Sequence, residues 1–221
     1  MIVPMNILLL LLGLIFFPRS ASATLLYRSV GINFTVIEKV TEITLELHDV
    51  IQHPAAREFE DSLAFLKKNK EVIIDLSSGG GSVEEGHKII AFVDKLKAQG
   101  LKVKTRIQNG RMCGSMCVPI FLSADIREAS PTSAFMFHGV TTGWSTKPNK
   151  QSTDELFFYM KSRGLSESFE NYLWHEEALS APGEYWLTGS ELMELHSGII
   201  TRLTERHIRK KSVTMPFIPK L

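Results

Sequence analysis

Hydrophobic and polar positions along this chain repeat with two different periods. Short runs in which apolar residues alternate with polar ones, or in which β-branched residues are concentrated, predict strands. These runs are 42–47, 71–76, 101–107, 135–137 and 199–203, with one or two further short strands in 24–40. Longer segments in which apolar residues recur about every three or four positions predict helices with one buried face. These segments are 54–66, 82–100, 115–122, 153–163, 166–177 and 188–198.

Local signals mark where two of the helices begin. Ser82 is followed three residues later by Glu85, and Thr188 is followed at the same spacing by Glu191. A hydroxyl residue with a glutamate at this spacing is the pattern of a capping box, in which each side chain bonds the backbone N–H of the other residue. Both positions therefore predict a helix N-terminus.

The order of strands and helices predicts the fold class. Strands separated by helices of about 10 to 15 residues indicate βαβ units and a largely parallel sheet under helical cover. After residue 23 the sequence has no repeat, low-complexity tract or linker. We therefore expect an α/β fold with a mainly parallel sheet covered by helices, in a single domain over 24–221.

The first 23 residues differ in composition from the rest of the chain. Residues 7–17 are an apolar run of eleven, and Ala21, Ser22 and Ala23 have the small-x-small form that signal peptidase cuts after. A run of eleven is too short for a helix to span a bilayer, which takes about 20 residues. We predict that 1–23 is a signal peptide and that the protein is exported to the periplasm. Because no lysine or arginine precedes the apolar run, an uncleaved N-terminal membrane anchor is the alternative.

The charge balance gives no reason to expect a nucleic-acid partner. The chain has 25 basic and 24 acidic side chains, so its net charge is +1. Proteins that bind nucleic acid through its phosphates present a marked excess of positive charge. The basic cluster near the C-terminus is short and predicts a solvated chain end. Its members are Arg206, Arg209, Lys210 and Lys211.

Three segments carry the residue types of a serine hydrolase, which are a hydroxyl nucleophile, an imidazole base and backbone N–H donors for an oxyanion. The glycines at 79–81 join a strand to a helix N-terminus, where backbone N–H groups point outward. Ser115 precedes an apolar helix and is predicted at its N-terminus, with the N–H of Met116 beside it. His138 ends a strand, which places its imidazole at a sheet edge. Each segment also has a purely structural interpretation, namely a tight turn, an N-cap serine and a structural histidine.

The two cysteines of the chain, Cys113 and Cys117, flank Ser115. At this spacing on a helix, two Cα atoms lie about 6 Å apart, near the upper end of disulfide geometry. The sequence leaves two alternatives, a disulfide across the serine or a pair of small buried thiols. Two cysteines without histidines at helical spacing make a poor metal site, and the glycine turn lacks a nucleotide-binding motif. We expect no metal and no cofactor.

Taken together, the three segments resemble the proteolytic subunit of Clp protease, a family within the Clp/crotonase superfamily. That family has a Pro-Gly-Gly-Ser-Val turn, an Ala-Ser-Met-Gly segment and a Met-Ile-His-Gln segment, in this order. The corresponding segments here are 79–83, 114–117 and 136–139. The resemblance covers 71–203, and it implies a Clp/crotonase-like fold built of repeated ββα units.

The resemblance also assigns roles to residues. It implies that Ser115 is the nucleophile and that His138 is the base. It implies that Gly80 or Gly81, together with Met116, supplies the N–H groups of an oxyanion hole. Members of the family cut peptide bonds and assemble into stacked rings, so it implies a peptide or protein substrate and a homo-oligomer. The two cysteines around the serine, behind a leader, resemble the small exported Clp-like proteins of bacteria.

The resemblance gives the third catalytic residue by position. The family has an aspartate two residues before an aromatic-Leu-Ser/Thr segment, and here Glu184 stands two residues before 186–188. A glutamate can orient a histidine, so Glu184 is the predicted partner of His138. The structural alternative is that Glu184 is a surface acid before a helix. The other acidic candidates in this part of the chain are Glu176, Glu177 and Asp154.

The sequence therefore predicts an exported serine-type peptidase that acts through an acyl-enzyme on Ser115, with His138 as base. Two alternatives stay open. One is a non-catalytic binding or assembly protein that keeps the fold, and the other is an acyl-CoA-binding enzyme of the crotonase type. A membrane is expected as a partner only through an uncleaved leader.

Overall fold

The computed structural model describes residues 26–30, 34–39, 41–66, 71–141, 143 and 145–204. The predicted leader at 1–23 and the basic cluster near the C-terminus lie outside the described residues. Within these ranges, no helix combines the length and the apolar character that are needed to span a bilayer.

Strands and helices alternate along the described chain. The strands are β1 (Leu26–Val30), β2 (Phe34–Glu38), β3 (Glu42–His48), β4 (Glu71–Ser77), β5 (Val103–Ile107), β6 (Met112–Gly114), β7 (Ile126–Ala129), β8 (Ala134–Phe137), β9 (Tyr185–Thr188) and β10 (Arg202–Leu203). The helices are α1 (Ala55–Ser62), α2 (Val83–Ala98), α3 (Cys117–Leu122), α4 (Lys150–Ser162), α5 (Glu167–His175) and α6 (Gly189–Glu194). A 3₁₀ turn at Leu63–Phe65 follows α1.

Two sheets organise these strands. Seven strands form the larger sheet, in the order β1-β2-β3-β4-β5-β7-β10. From β3 to β10 the neighbouring strands are parallel, whereas β1 and β2 join in antiparallel pairs. The smaller sheet has the order β6-β8-β9, in which β6 and β8 are parallel and β9 is antiparallel to β8. The predicted α/β class, with a mostly parallel sheet and helices, is confirmed.

The chain enters the two sheets in turn. β5 belongs to the larger sheet, β6 to the smaller one, and α3 follows; β7, β8 and α4 repeat this order. Because β6 and β8 are parallel neighbours, their carboxyl ends lie at the same edge of the smaller sheet. Ser115 directly follows β6 and His138 directly follows β8, so the topology brings these two residues to one edge.

The core includes buried residues of the larger sheet and of helices α1, α2 and α3, and it continues to the smaller sheet and helices α4, α5 and α6. On β3 and β4, alternate side chains are fully buried, and they are Ile43, Leu45, Leu47, Val72, Ile74 and Leu76. Burial of one aliphatic side chain of this size stabilises a fold by about 1.5–3 kcal/mol. The other face of these strands is mostly polar apart from Ile73, and there Asp75 accepts hydrogen bonds from Arg106 and Gln108. The glycine-rich turn at 79–81 therefore follows a strand that is firmly packed in the core.

Three short strands, β6, β7 and β9, are absent from the sequence-based prediction. Each has three or four residues, which is too few for alternation between two faces to be recognised. β9 matters most, because it adds an antiparallel edge to the sheet that carries Ser115 and His138.

The two predicted capping boxes have different outcomes. At Thr188 the box is complete, because Thr188 Oγ1 accepts from the Glu191 N–H and the Glu191 carboxylate accepts from the Thr188 N–H. These bonds from Thr188 lower the pKa of Glu191. At Ser82 only half of the predicted box is present: Ser82 Oγ accepts from the Glu85 N–H, but the Glu85 carboxylate accepts from the N–H of Ala56. Glu85 therefore ties α2 to the start of α1 instead of closing its own cap.

Candidate active site

Ser115 lies in a sharp turn between β6 and α3. Its φ angle is 49°, in the left-handed region that residues with a side chain seldom adopt. The Ser115 N–H donates to the Met136 carbonyl over 2.9 Å, and the Ser115 carbonyl accepts from the Val118 N–H over 3.0 Å. A serine on a strained strand–turn–helix connection is the arrangement of a nucleophile elbow, which exposes Oγ. The helix begins at Cys117, so Ser115 precedes the helix N-terminus where the sequence pattern predicts it.

The glycine-rich turn packs directly against this serine. A Cβ atom on Gly80 would lie 2.6 Å from Ser115 Cβ and 2.7 Å from the Gly114 carbonyl oxygen, closer than real contacts allow. Gly80 also has a φ angle of 106°, which favours glycine. A glycine at this position is therefore needed for the close approach of the two backbone segments around Ser115.

His138 is within hydrogen-bond distance of Ser115. Its Nε2 lies 2.8 Å from Ser115 Oγ, and its Nδ1 lies 2.7 Å from the carbonyl oxygen of Gly139. A carbonyl oxygen can only accept hydrogen bonds, so in the neutral ring Nδ1 carries the proton and donates to Gly139. Nε2 then has the free lone pair and accepts from the Ser115 hydroxyl. This is the tautomer that a base at Ser115 requires.

The structure does not bring Glu184 to His138. The Glu184 carboxylate accepts a hydrogen bond from Trp186 Nε1 over 3.1 Å, and the described atoms of Glu184 and His138 share no hydrogen bond. The β8–β9 ladder ends at the pair Phe137–Tyr185, one step before the histidine and the glutamate would face each other. Glu184 lies just before β9, and its carboxylate accepts a hydrogen bond from the indole of Trp186. Nδ1 of His138 is therefore hydrogen-bonded to a backbone carbonyl and not to the carboxylate of Glu184.

The other acidic candidates do not reach the imidazole either. The Asp154 carboxylate pairs with Lys150 over 2.6 Å, and the Glu176 carboxylate lies 3.3 Å from Nδ1 of His175. In the part of the chain that the structure describes, no hydrogen bond joins His138 to Asp154, Glu176 or Glu177.

Two of the three predicted oxyanion donors have free N–H groups. The N–H of Gly80 donates to Ser78 Oγ over 3.1 Å, so it is already used within the turn. The N–H groups of Gly81 and Met116 have no hydrogen-bond acceptor among the described residues. Both residues line the same cavity as Ser115. Gly81 and Met116 are therefore the pair that can hold an oxyanion, and Gly80 shapes the turn.

A small apolar cavity opens beside Ser115 and His138. Its volume is ≈ 100 Å³. Aliphatic side chains from several elements line it, among them Val83, Val118, Met136, Val140, Leu156 and Met160. Apart from His138, the described lining residues have no ionisable side chain. A cavity with this lining favours an apolar side chain over a charged one.

Cys113 and Cys117 form a disulfide across the serine turn. Of the two alternatives that the sequence leaves open, the structure has the bridge and not the pair of thiols. Cys113 belongs to β6, Cys117 is the first residue of α3, and both are fully buried. The bridge therefore ties the strand before Ser115 to the helix after it.

A pair of tyrosines holds β9 against α5. The hydroxyl groups of Tyr172 and Tyr185 are hydrogen-bonded to each other. This bond, together with burial, raises the pKa of Tyr185 well above its ordinary value. The contact fixes the outer strand of the smaller sheet, and with it the backbone around Glu184 and Trp186.

Three contributions to the site come from residues that the sequence analysis missed. Gly139 supplies the acceptor for His138, Met136 supplies the acceptor for the Ser115 N–H, and Ser78 holds Gly80. Gly139 alone has a signal in the sequence, which is a glycine directly after the histidine. A Cβ atom there would lie 2.2 Å from the carbonyl oxygen of Leu179, so the position requires glycine.

The described ranges hold no group of three or more side chains that could together bind a metal ion. No protein-family model matches the chain, and no curated protein matches it. What the site can do therefore rests on its own geometry.

Proposed function

We propose that this protein is a serine hydrolase, a peptidase that forms an acyl-enzyme on Ser115 with His138 as its base. The observation that carries the proposal is the 2.8 Å contact between Ser115 Oγ and His138 Nε2. The Nδ1 atom of the same ring is hydrogen-bonded to the carbonyl oxygen of Gly139. A serine and a histidine that are neighbours by accident need neither the strained φ angle of Ser115 nor this tautomer. The free N–H groups of Gly81 and Met116 beside them add the third requirement of the chemistry.

In the first half of the proposed reaction, a peptide bond is replaced by an ester. Ser115 Oγ bonds to the carbonyl carbon while its proton moves to His138 Nε2. The electron pair of the carbonyl double bond moves to oxygen, and this oxyanion accepts hydrogen bonds from the N–H groups of Gly81 and Met116. His138 then gives its proton to the amide nitrogen, the electron pair of the oxyanion forms the carbonyl double bond again, and the C–N bond breaks so that the amine leaves.

In the second half, water hydrolyses the ester. His138 Nε2 takes a proton from water as the water oxygen bonds to the acyl carbon, and the same two N–H groups hold the second oxyanion. The electron pair of this oxyanion then forms the carbonyl double bond again, the bond between the acyl carbon and Ser115 Oγ breaks, and Oγ takes the proton from His138. The enzyme returns to its starting protonation state, and the acid product leaves.

A backbone carbonyl in place of a carboxylate limits the expected rate. Replacing the aspartate of a full triad by its amide costs about 10⁴ in kcat, because the histidine is then held in the wrong tautomer. The Gly139 carbonyl keeps the right tautomer, since it can only accept. It does not supply the negative charge that stabilises the imidazolium, so we expect turnover slower than that of a full triad.

We also propose a Clp/crotonase-type fold, export to the periplasm and self-association. The order β5–β6–α3 and β7–β8–α4, with each pair of strands divided between the two sheets, supports repeated ββα units. The disulfide between Cys113 and Cys117 supports export, because such bonds persist in oxidising compartments. Self-association rests on the resemblance of the three motif segments to the Clp family.

Trapping the acyl-enzyme tests the proposed activity. The purified chain is mixed with an activated ester, the reaction is quenched in acid, and the mass of the protein is measured by intact-mass spectrometry. We expect the wild-type protein to gain the mass of one acyl group, with peptide mapping placing that group on Ser115. Ser115→Ala should gain none, and His138→Ala should acylate far more slowly.

A folded wild-type protein that gains no acyl group would contradict the proposal. That result would favour the second candidate, a non-catalytic binding protein with the same fold. Its structural support is the hydrogen bond of His138 Nδ1 to a neutral carbonyl instead of a carboxylate.

A further inference from the structure

One face of the smaller sheet carries two exposed apolar side chains near the reactive pair. Met112 on β6 and Trp186 on β9 are each 44% exposed, although both lie within strands. On the opposite face Cys113, Phe135, Phe137 and Leu187 are buried in the core. On the face of Met112 and Trp186, Gly114 and Met136 are also buried, so Met112 and Trp186 are its exposed apolar side chains.

The strand register places Trp186 level with Gly114, the residue before Ser115. Met136 pairs with Gly114 on one side and with Trp186 on the other, so the three residues lie side by side across the sheet. Neighbouring strands are about 4.8 Å apart, so Trp186 lies roughly 10 Å from Gly114, the residue before Ser115. An extended peptide covers this distance in about three residues.

Glu184 holds the indole of Trp186 in place. Its carboxylate accepts from Trp186 Nε1 over 3.1 Å, and a hydrogen bond to a charged acceptor is stronger than one between neutral groups. An aromatic ring that is fixed before binding loses less conformational entropy when a ligand packs on it. Met136 connects this ring to the cavity, because it is buried beside Trp186 in the sheet and also lines the cavity.

From these contacts we propose that Trp186, with the buried Met136 at its base, forms a subsite for an apolar residue of an extended peptide substrate, about three residues from the bond that is cut. We call it the Trp186 subsite. The inference rests on the proposed peptidase function. It gives Glu184 the role of a positioning residue for Trp186, instead of that of the partner of His138.

A peptide fits this face better than a second copy of the chain does. The face is continuous with the reactive pair, since β6 leads into Ser115 and β8 leads into His138. Its exposed apolar part consists of Met112 and Trp186, whereas a stable contact between two proteins buries about 800 Å² on each partner. A surface of two side chains matches one or two substrate residues.

Comparing a short and an extended substrate separates the subsite from the reactive pair. p-Nitrophenyl acetate occupies only the surroundings of Ser115, whereas an apolar peptide of about ten residues reaches Trp186. In the full chain, Trp186→Ala is expected to lower the ratio of kcat/KM for the peptide to kcat/KM for the ester about tenfold, mainly through the KM of the peptide. Trp186→Phe should keep most of this ratio, and Glu184→Leu should give an intermediate value.

Phe158→Ala is the matched control. Phe158 is an aromatic side chain on α4 that is 73% exposed, and it belongs to neither sheet. Its removal should leave the ratio of the two substrates unchanged. A ratio in Trp186→Ala that stays within about twofold of the wild type would overturn the subsite. Dissociation of an oligomer by Trp186→Ala, seen by analytical ultracentrifugation, would assign the face to a second copy and would also overturn it.

A binding measurement tests the subsite independently of catalysis. A fluorescein-labelled form of the same peptide is titrated with Ser115→Ala and with the double variant Ser115→Ala/Trp186→Ala, and its anisotropy is followed. Binding about tenfold weaker in the double variant supports the subsite even where the wild-type protein hydrolyses nothing. Equal binding by the two proteins, or no binding by either, overturns it. Failure of acyl-enzyme formation alone counts against the proposed function and not against the subsite.

Discussion

The carbonyl oxygen of Gly139 lies 2.7 Å from His138 Nδ1, where a serine hydrolase with a full triad has a carboxylate. Close packing fixes this carbonyl, because a Cβ atom on Gly139 would lie 2.2 Å from the Leu179 carbonyl oxygen and 2.6 Å from Pro148 Cβ. The orientation of the imidazole is therefore set by the backbone and not by a titratable side chain.

Glu184→Gln should leave the acylation of Ser115 nearly unchanged. The amide oxygen can still accept from Trp186 Nε1, and His138 Nδ1 is bonded elsewhere. We expect an acylation rate within about threefold of the wild type, against a loss of about 10⁴ when a triad carboxylate is replaced by its amide. Stopped-flow release of p-nitrophenol measures the rate. A loss above about hundredfold in a folded variant would show that Glu184 reaches His138 during the reaction.

The sequence identifies the segments of this site, but it does not reveal how they meet. Ser115, His138 and the glycines at 79–81 each stand beside a strong local signal, and the pairing of β6 with β8 brings the first two together. The acceptor for His138 could not be found from sequence, since every residue has a carbonyl and backbone torsion decides which one faces Nδ1. Glu184 lies one step beyond the end of the β8–β9 ladder, so a spacing taken from another family locates the region and not the contact.

The fold, like the site, has elements that the sequence predicts and elements that it does not. β4 is a strand of seven residues with five consecutive buried positions, and in α2 the buried positions recur along the helix, so both are visible in the sequence. β6 and β9 have three and four residues, and they depend on pairing with distant segments. β6 pairs with β8 on one side, and on the other side a parallel β-bridge of backbone hydrogen bonds joins Cys113 to Ser78. Strands of this kind follow from tertiary pairing, which a local sequence window does not contain.

Gly80→Ala and Gly79→Ala form a matched pair at adjacent positions. A methyl group on Gly80 would lie 2.6 Å from Ser115 Cβ, whereas one on Gly79 would have nothing within 4 Å. Gly80→Ala should lower the acylation rate of Ser115 by about hundredfold or more, because Gly81, one of the two proposed oxyanion donors, moves with the turn. Gly79→Ala should lower it by less than about threefold. Thermal melts show whether both variants are folded, and equal rates for the two would contradict the packing of Gly80 against Ser115.

The double variant Cys113→Ala/Cys117→Ala should be less stable than the wild-type protein. A bridge with a sequence separation of 4 closes a short loop, which corresponds to about 2 kcal/mol of chain entropy. For a domain of this size the loss lowers the melting temperature by about 4–8 °C. Acylation should also slow, because the φ angle of 49° at Ser115 is no longer held covalently. If calorimetry and acylation give wild-type values, the backbone hydrogen bonds of Ser115 hold the turn without the bridge.

Glu85 should make the α1–α2 contact dependent on pH. The hydrogen bond from the Ala56 N–H, and to a smaller extent Lys88, lowers the pKa of Glu85 below its ordinary value of 4.5, against the opposing effect of burial. Because the pKa is lower in the folded state than in the unfolded state, the stabilisation is complete above pH 4.5 and is lost as the pH falls through the folded value.

Glu85→Gln is therefore expected to be less stable than the wild-type protein at neutral pH, with a difference that shrinks below pH 4.5. Urea unfolding of both proteins at a series of pH values measures the difference in the free energy of unfolding. A difference that stays constant down to acid pH would show that Glu85 acts through packing and not through its charge.

Fluorophosphonate labelling tests the Ser115–His138 pair most directly, because the reagent reacts with a serine hydroxyl that is activated by a base. We predict that the wild-type chain is labelled at Ser115, that Ser115→Ala is not labelled, and that His138→Ala is labelled at least about hundredfold more slowly. Phe158→Ala, a surface control on α4, should be labelled like the wild-type protein. A folded wild-type chain that is not labelled, or a His138→Ala variant that is labelled equally fast, would contradict the claim that His138 activates Ser115.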